Sequence, residues 1–113
     1  MNIQIFGTAK CFNTKKAQRY FKERNIKFQF IDLKEKGLSK REYISVKQAV
    51  GCYEGLLDDK CKDQDALTLI KYLADEDIDD KILENQQVLK TPIVRNGSQA
   101  TIGFCPEVWK EWK

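Results

Sequence analysis

The chain has 113 residues, 42% hydrophobic and 11% aromatic, which is enough for one globular domain over residues 1–113 and too few for a second core. Lys and Arg number 20 against 17 Asp and Glu, so the formal net charge of +3 makes no demand for direct nucleic-acid binding. No uncharged stretch approaches bilayer-crossing length, and Met1-Asn2-Ile3-Gln4-Ile5 lacks the charged-then-apolar pattern of an export signal, so the expectation is no membrane association and a cytoplasmic location.

Ile3-Gln4-Ile5-Phe6 alternates apolar and polar residues and then runs into Gly7-Thr8-Ala9-Lys10, a first strand and a loop. From about Asn13, Ala17, Tyr20 and Phe21 recur at helical spacing until Asn25 ends the pattern. Phe28-Gln29-Phe30-Ile31-Asp32-Leu33 reads as a second strand, parallel to the first and joined to it by a right-handed crossover. Lys34-Glu35-Lys36-Gly37 is a turn, and Ser39 with Glu42 fits a capping box. That helix should bury Tyr43, Val46, Ala49 and Val50, and Gly51-Cys52-Tyr53-Glu54-Gly55 interrupts it. A helix over residues 65–74 carries Ala66, Leu67, Ile70 and Leu73, and a short one follows over residues 77–83. Sheet character returns at Pro92-Ile93-Val94-Arg95, then Asn96-Gly97, then residues 99–104, where Asn-Gly signals a hairpin. Pro106 sits at a final helix start, with Val108, Trp109 and Trp112 placed to cover the sheet. The expected class is α/β: a thioredoxin-like fold with a four-stranded mixed sheet and an enlarged helical insertion.

The four cysteines, 11, 52, 61 and 105, form no Cys-x-x-Cys pair, and the chain has no histidine. A structural zinc site wants close ligand pairs, so no metal is expected, and no bound cofactor either. Without histidine, a nucleophile must be activated by a dipole, a cation or a hydrogen bond. Cys11 falls just ahead of the first helix, where unpaired amides and the positive end of the helix dipole stabilise a thiolate. Thr14 is placed to donate its hydroxyl to the sulfur or to a bound oxyanion, as are Asn13 and the loop amides. Lys10, Lys15 and Lys16 either add a favourable charge or are solvated surface. The alternative for Cys11 is a small packed residue. Its polar company, Gly7, Thr8, Lys10, Asn13 and Thr14, suits an anion better, with Phe12 as the local packing residue. Thr91-Pro92 precedes a strand, where a trans proline is the general default; opposite the reactive cysteine of a thioredoxin fold, the expectation is cis.

Several stretches together resemble the ArsC and Spx branch of the thioredoxin superfamily: residues 3–7, Cys11-Phe12-Asn13-Thr14-Lys15-Lys16-Ala17, Lys90-Thr91-Pro92-Ile93-Val94, and Gly103-Phe104 ahead of Trp109 and Trp112. The resemblance implies a thiol-dependent reductase of the arsenate reductase type. It would form a covalent intermediate on Cys11 and be recycled by glutathione, a glutaredoxin or a similar small thiol. It also implies an anion-binding set drawn from Asn13, Lys15, Thr91, Pro92 and Arg95. Members that reduce arsenate carry arginines where this chain has Thr91 and Cys105, and another near Asp58-Asp59, departures that point away from arsenate. Spx-type members bind RNA polymerase as regulators, with a Cys-x-x-Cys switch at the Cys11 position; that alternative function meets Thr14 where the second sulfur would stand. Placement in this fold makes Cys105 a candidate resolving thiol and leaves Cys52 and Cys61 as structural or incidental.

Overall fold

The protein's structure is a computed structural model that describes residues 1–112. β1 (Ile3–Gly7) leads into α1 (Phe12–Glu23) and β2 (Phe28–Asp32). Three helices follow, α2 (Lys40–Val50), α3 (Gln64–Tyr72) and α4 (Asp75–Glu84), with short 3-10 turns at Tyr53–Leu56 and Gln86–Val88. β3 (Ile93–Asn96), β4 (Gln99–Ile102) and α5 (Pro106–Trp109) close the chain. The sheet order is β2-β1-β3-β4, parallel between β1 and β2 and antiparallel elsewhere. This is the expected mixed sheet, with the helical block inserted between its two halves.

Alternation along the strands sends side chains to two separate cores. Ile3, Ile5 and Val94 join Ala17, Tyr20 and Phe21 of α1 and Trp109 and Trp112 at the C-terminal end. Phe6, Ile31 and Ile93 face the other way, into Tyr43, Val46, Leu67, Ile70, Ile78 and Ile82 of α2, α3 and α4. Each such fully buried side chain is worth about 1.5–3 kcal/mol. Thus α1 and α5 cover one face of the sheet and the inserted helices the other.

Local signals account for most boundaries. Ser39 accepts from the Glu42 amide at 3.2 Å and Glu42 returns the bond to the Ser39 amide at 2.9 Å, completing the capping box. α4 begins two residues earlier than the apolar spacing suggests, because Asp75, Glu76 and Asp77 fill its first turn, where carboxylates favour the helix dipole. α3 ends at Tyr72, leaving Leu73 as its cap. One residue of the expected apolar stripe of α2 faces solvent instead: Ala49 is exposed, while Val50 is half-buried and packs against the core. Val108 is likewise 39% exposed, so Trp109 and Trp112 alone among the three cover the sheet. The hairpin is real but shifted. Asn96 pairs with Gln99, so the two loop residues are Gly97 and Ser98, and Gly97 takes φ +61°, the backbone demanded at the first loop position of a II′ turn. Asn96 is the last strand residue, its side chain accepting the Asn2 amide at 3.2 Å.

A polar network ties α2 to α4. Asp79 accepts from the Tyr43 hydroxyl at 2.7 Å and from Lys47 Nζ at 2.8 Å. Burial opposes the Asp79 carboxylate, but the Lys47 and Tyr43 hydrogen bonds outweigh it and hold the pKa below the ordinary aspartate range. A carboxylate depressed on folding stabilises the native state above its unfolded pKa, and that stabilisation disappears as pH falls through the folded value. Asp79→Ala is expected to cost about 1–3 kcal/mol in urea unfolding at neutral pH, because Tyr43 and Lys47 lose their partner. The difference from wild type should shrink in acid, below the ordinary aspartate range.

Candidate active site

β1, an interior strand, ends at Gly7, and a tight turn brings the chain into α1. The turn is closed by the Cys11 amide donating to the Thr8 carbonyl at 3.2 Å, while the Cys11 carbonyl takes the Lys15 amide at 3.2 Å as the helix starts. Cys11 is the N-cap of α1 in extended backbone, and its side chain makes no capping bond. The sulfur is therefore free to face partners across the turn. The Thr91 hydroxyl donates to Cys11 Sγ at 3.0 Å, and the thiol reaches the Thr91 carbonyl at 3.7 Å. The Thr91-Pro92 bond is cis, as expected for this topology.

Partial burial of the sulfur opposes its ionisation. That effect is outweighed by the Thr14 hydroxyl, the Thr91 hydroxyl and the amides of Thr14 and Asn13, so the Cys11 pKa lies below its ordinary value. The helix N-terminus supplies the amides, as its dipole predicts. Thr14 itself is fully buried, and its hydroxyl has no hydrogen-bond partner among the described residues. It favours the Cys11 anion without being a hydrogen-bond donor to the sulfur by geometry. A methyl group at residue 7 would overlap the Thr14 side chain, so Gly7 is what allows α1 to approach the strand end so closely.

The other sequence candidates divide. Asn13 enters through its amide, and its side chain is exposed; Lys10 and Lys15 are also exposed. Lys16 lies over the Phe104 ring at 4.3 Å and the Phe12 ring at 5.6 Å, a cation–π arrangement in place of an anion contact. Phe12 is not a packing residue: it is 73% exposed, because position 12 falls on the solvent side of the first turn while Thr14 takes the inward one. Pro92 is buried and its carbonyl accepts the Gly103 amide at 2.8 Å. Arg95 is not brought to the sulfur. Its guanidinium donates to Gln4 Oε1 at 2.7 Å and to Ser45 at 3.3 Å, opposite the start of β1 and under α2. Cys105 Sγ donates to the Ile102 carbonyl at 3.3 Å, and burial followed by Glu107 raises its pKa. Cys61 is buried and Cys52 exposed, and no two cysteines are bonded. Among the described residues no cluster of three or more His, Cys, Asp or Glu could hold a metal, and no helix is long and apolar enough to cross a membrane.

Two features went unread in the sequence. Thr91 was expected among the anion-binding residues, but not that its hydroxyl would be a direct hydrogen-bond partner of the sulfur. A groove of about 770 Å³ also opens beside the site. Thr8 and Thr91 form part of its wall, with the turn after β2, the loop before α3 and the segment following α4 forming the rest.

Solved structures place this geometry among known folds. The chain is similar to an ArsC-family-related protein from Bacteroides fragilis, with a TM-score of 0.85 at 19% identity over 100% of this chain and 98% of that one. An arsenate reductase from Vibrio cholerae aligns with a TM-score of 0.82 at 24% identity, over 98% of this chain and 97% of the other. A glutaredoxin from Archaeoglobus fulgidus aligns more loosely, with a TM-score of 0.51 at 16% identity over 97% of this chain and 83% of that one. At these identities what is shared is the thioredoxin-like fold. No curated protein sequence matches significantly. The ArsC family profile spans residues 6–112, from the end of β1 through the Cys11 turn and the cis-proline to Trp112, and the chain belongs to the ArsC family.

Proposed function

We propose that the protein is a thiol–disulfide oxidoreductase whose nucleophile is Cys11. The observation that carries this reading is the sulfur's setting at the start of α1. It lies 3.0 Å from the Thr91 hydroxyl, with amides and hydroxyls that lower its pKa. The Cys11 thiolate would attack one sulfur of a disulfide, forming a mixed disulfide and releasing the other sulfur as a thiolate. A small thiol such as glutathione, or a glutaredoxin-type protein, would then attack the Cys11 sulfur, releasing the substrate's second sulfur as a thiolate; a second donor thiol attacks the donor sulfur of the resulting mixed disulfide, returning Cys11 as thiolate and leaving the donor as its disulfide. Two electrons pass from the donor thiols to the substrate disulfide, and no bound cofactor is needed.

Arsenate fits this site poorly. An arsenate dianion calls for guanidinium groups in bidentate geometry, yet Thr91 supplies a hydroxyl, Cys105 a thiol turned to a carbonyl, and Arg95 is spent on Gln4 and Ser45. The regulatory alternative, a polymerase-binding protein switched by a Cys-x-x-Cys disulfide, finds an enclosed Thr14 hydroxyl where its second sulfur would be. An oxidoreductase in the cytoplasm suits a chain with four unbonded cysteines.

The pH dependence of Cys11 alkylation tests the reading. Iodoacetamide should react with a midpoint below the ~8.5 of free cysteine, and the midpoint should move up in Thr91→Val, which keeps the shape and removes the donor. A profile that coincides with free cysteine and ignores Thr91→Val would remove the mechanistic basis.

A further inference from the structure

Charge is unevenly divided between the two faces of the sheet. Residues 10–27, which comprise α1 and the turns at its ends, hold seven Lys and Arg against one acid, Glu23. Residues 54–84, which carry α3 and α4 on the opposite face, hold eleven Asp and Glu against four Lys. Glu107, Lys110 and Glu111, on the same side as α1, change its excess by a single charge. The small net charge of the chain thus conceals an electrical dipole across the sheet, and its positive end is the face where Cys11 caps α1. A field of this shape turns an approaching anionic surface toward α1 before contact.

The charges are also ordered along the helix. Phe12, Lys15, Arg19 and Lys22 are all exposed and stand three, four and three residues apart, which places them on one stripe. That stripe begins beside the nucleophile and runs about 15 Å to Lys22 at the helical rise. None of the charged groups of α1 takes part in an ion pair among the described residues. Arg24 donates to the Tyr20 carbonyl at 3.1 Å and lies 3.7 Å from the centre of the Tyr20 ring, contacts that leave its charge uncompensated. A depression of about 330 Å³ flanks the stripe, with Lys16, Arg19 and Arg24 against Glu23 on its rim, above Tyr20 and Phe104. Phe12 is 73% exposed, an aromatic ring left in water one residue from the sulfur, where a docked protein must come closest. An aromatic contact ringed by polar and charged groups is the usual anatomy of a protein interface. A partner surface of standard size, about 800 Å² or some 16 Å in radius, centred on Cys11 would cover the stripe as far as Lys22.

From this we infer that the outward face of α1 is the docking surface for an acidic protein that presents its disulfide to Cys11. The inference deepens the oxidoreductase reading and rests on it. The step is the same exchange: the Cys11 thiolate bonds to one sulfur of the partner, the partner's disulfide breaks, and its other sulfur leaves as a thiolate. α1 contributes approach and orientation, so its charges act on the second-order rate and on its salt dependence.

The test uses the full chain and two peptides long enough to run the length of α1. Each has one cysteine at its start followed by spaced Glu or spaced Lys residues, and each is held as its mixed disulfide with 2-thiopyridine. Release of pyridine-2-thione reports attack by Cys11 on the peptide sulfur. Each rate is divided by that of the same peptide with 2-mercaptoethanol, an uncharged thiol, to remove intrinsic reactivity. The Glu peptide is expected to react about tenfold or more faster than the Lys peptide at low salt, with the ratio falling as salt is added. Arg19→Glu with Lys22→Glu should lower that ratio about threefold or more. Lys40→Glu with Arg41→Glu makes the same change of charge at the exposed start of α2 on the other face and should leave the ratio near the wild-type value. Equal normalised rates in wild type, or a ratio that responds alike to both double variants, would overturn the docking surface. Binding of a duplex DNA oligonucleotide at physiological salt, lost in Arg19→Glu with Lys22→Glu, would assign the face to nucleic acid and overturn it too. Uncharged 2,2′-dipyridyl disulfide separates the two levels. If it fails to react at Cys11, the nucleophile reading falls and the docking surface with it; if it reacts normally while the peptides show no preference, only the docking surface falls.

Discussion

Cys11→Ser is expected to reduce thiol-dependent disulfide reduction to the uncatalysed background, a loss of at least about 10³-fold. The fold should remain intact, since the side chain is half-buried and the change is nearly isosteric. The size of the effect follows from what surrounds the sulfur. The Thr14 and Thr91 hydroxyls and the helix amides stabilise an anion once it exists, but none of them accepts a proton. A thiol placed there ionises more readily than a free one. A serine hydroxyl would need a general base, and a chain without histidine has no imidazole to serve as one. Cys105→Ser is expected to retain turnover with an external thiol. Its sulfur is directed to the Ile102 carbonyl, and its pKa is raised by burial and by Glu107, the opposite of a poised attacking thiol. Measuring both variants with dipyridyl disulfide and glutathione separates a one-cysteine cycle from a two-cysteine one. Loss of turnover in Cys105→Ser with Cys11 still alkylated normally would restore Cys105 as the resolving thiol.

Trp109→Ala is expected to lower stability by about 3–5 kcal/mol, read as a shift of the urea midpoint at unchanged slope. Trp109 is 2% exposed and meets the rings of Tyr20, Phe21 and Phe104 at centroid distances of 5.2, 5.1 and 5.4 Å. Its indole nitrogen donates to the Thr101 hydroxyl at 2.7 Å, so truncation opens a large cavity and also strands a polar group. α5 is only four residues long, too short to persist without tertiary packing, and this ring holds it on the sheet. Because Tyr20 and Phe21 belong to α1, the loss reaches the helix that positions Cys11. Alkylation of Cys11 should become less sensitive to Thr91→Val as the variant is warmed. Trp109→Phe, which keeps a ring and loses the hydrogen bond, should cost markedly less.

The order of elements was legible because apolar period, capping residues and turn residues agreed along most of the chain. Ser39 and Glu42 announce α2, and Gly97 announces the hairpin. Misreadings fell where one local signal had to stand for a tertiary fact. Phe12 is the most apolar residue of its turn and yet faces water, because helical phase gives the inward position to Thr14. Arg95 follows the cis-proline by three residues, but strand alternation turns it toward α2, whereas the hydroxyl of Thr91 looks at the sulfur. Cys11 could be found from its position before a helix. The groove could not, since its wall is assembled from segments around residues 8, 33–37, 58–63 and 83–91, and no spacing in the sequence connects them.

The division of the sheet into two faces has a consequence for how this scaffold can diversify. The sulfur is anchored from one side, by α1 resting on the aromatic cluster with Trp109. Much of the groove wall is supplied from the other, by the turn after β2 and by the inserted segment around α3 and α4. The surroundings of Cys11 and most of the groove wall are thus held from different faces of the sheet, with Thr91 common to both. Exchanging lysines for acids in that wall, or lengthening the loop before α3, would alter the groove while leaving the Cys11 hydrogen bonds to Thr91 and the start of α1 in place.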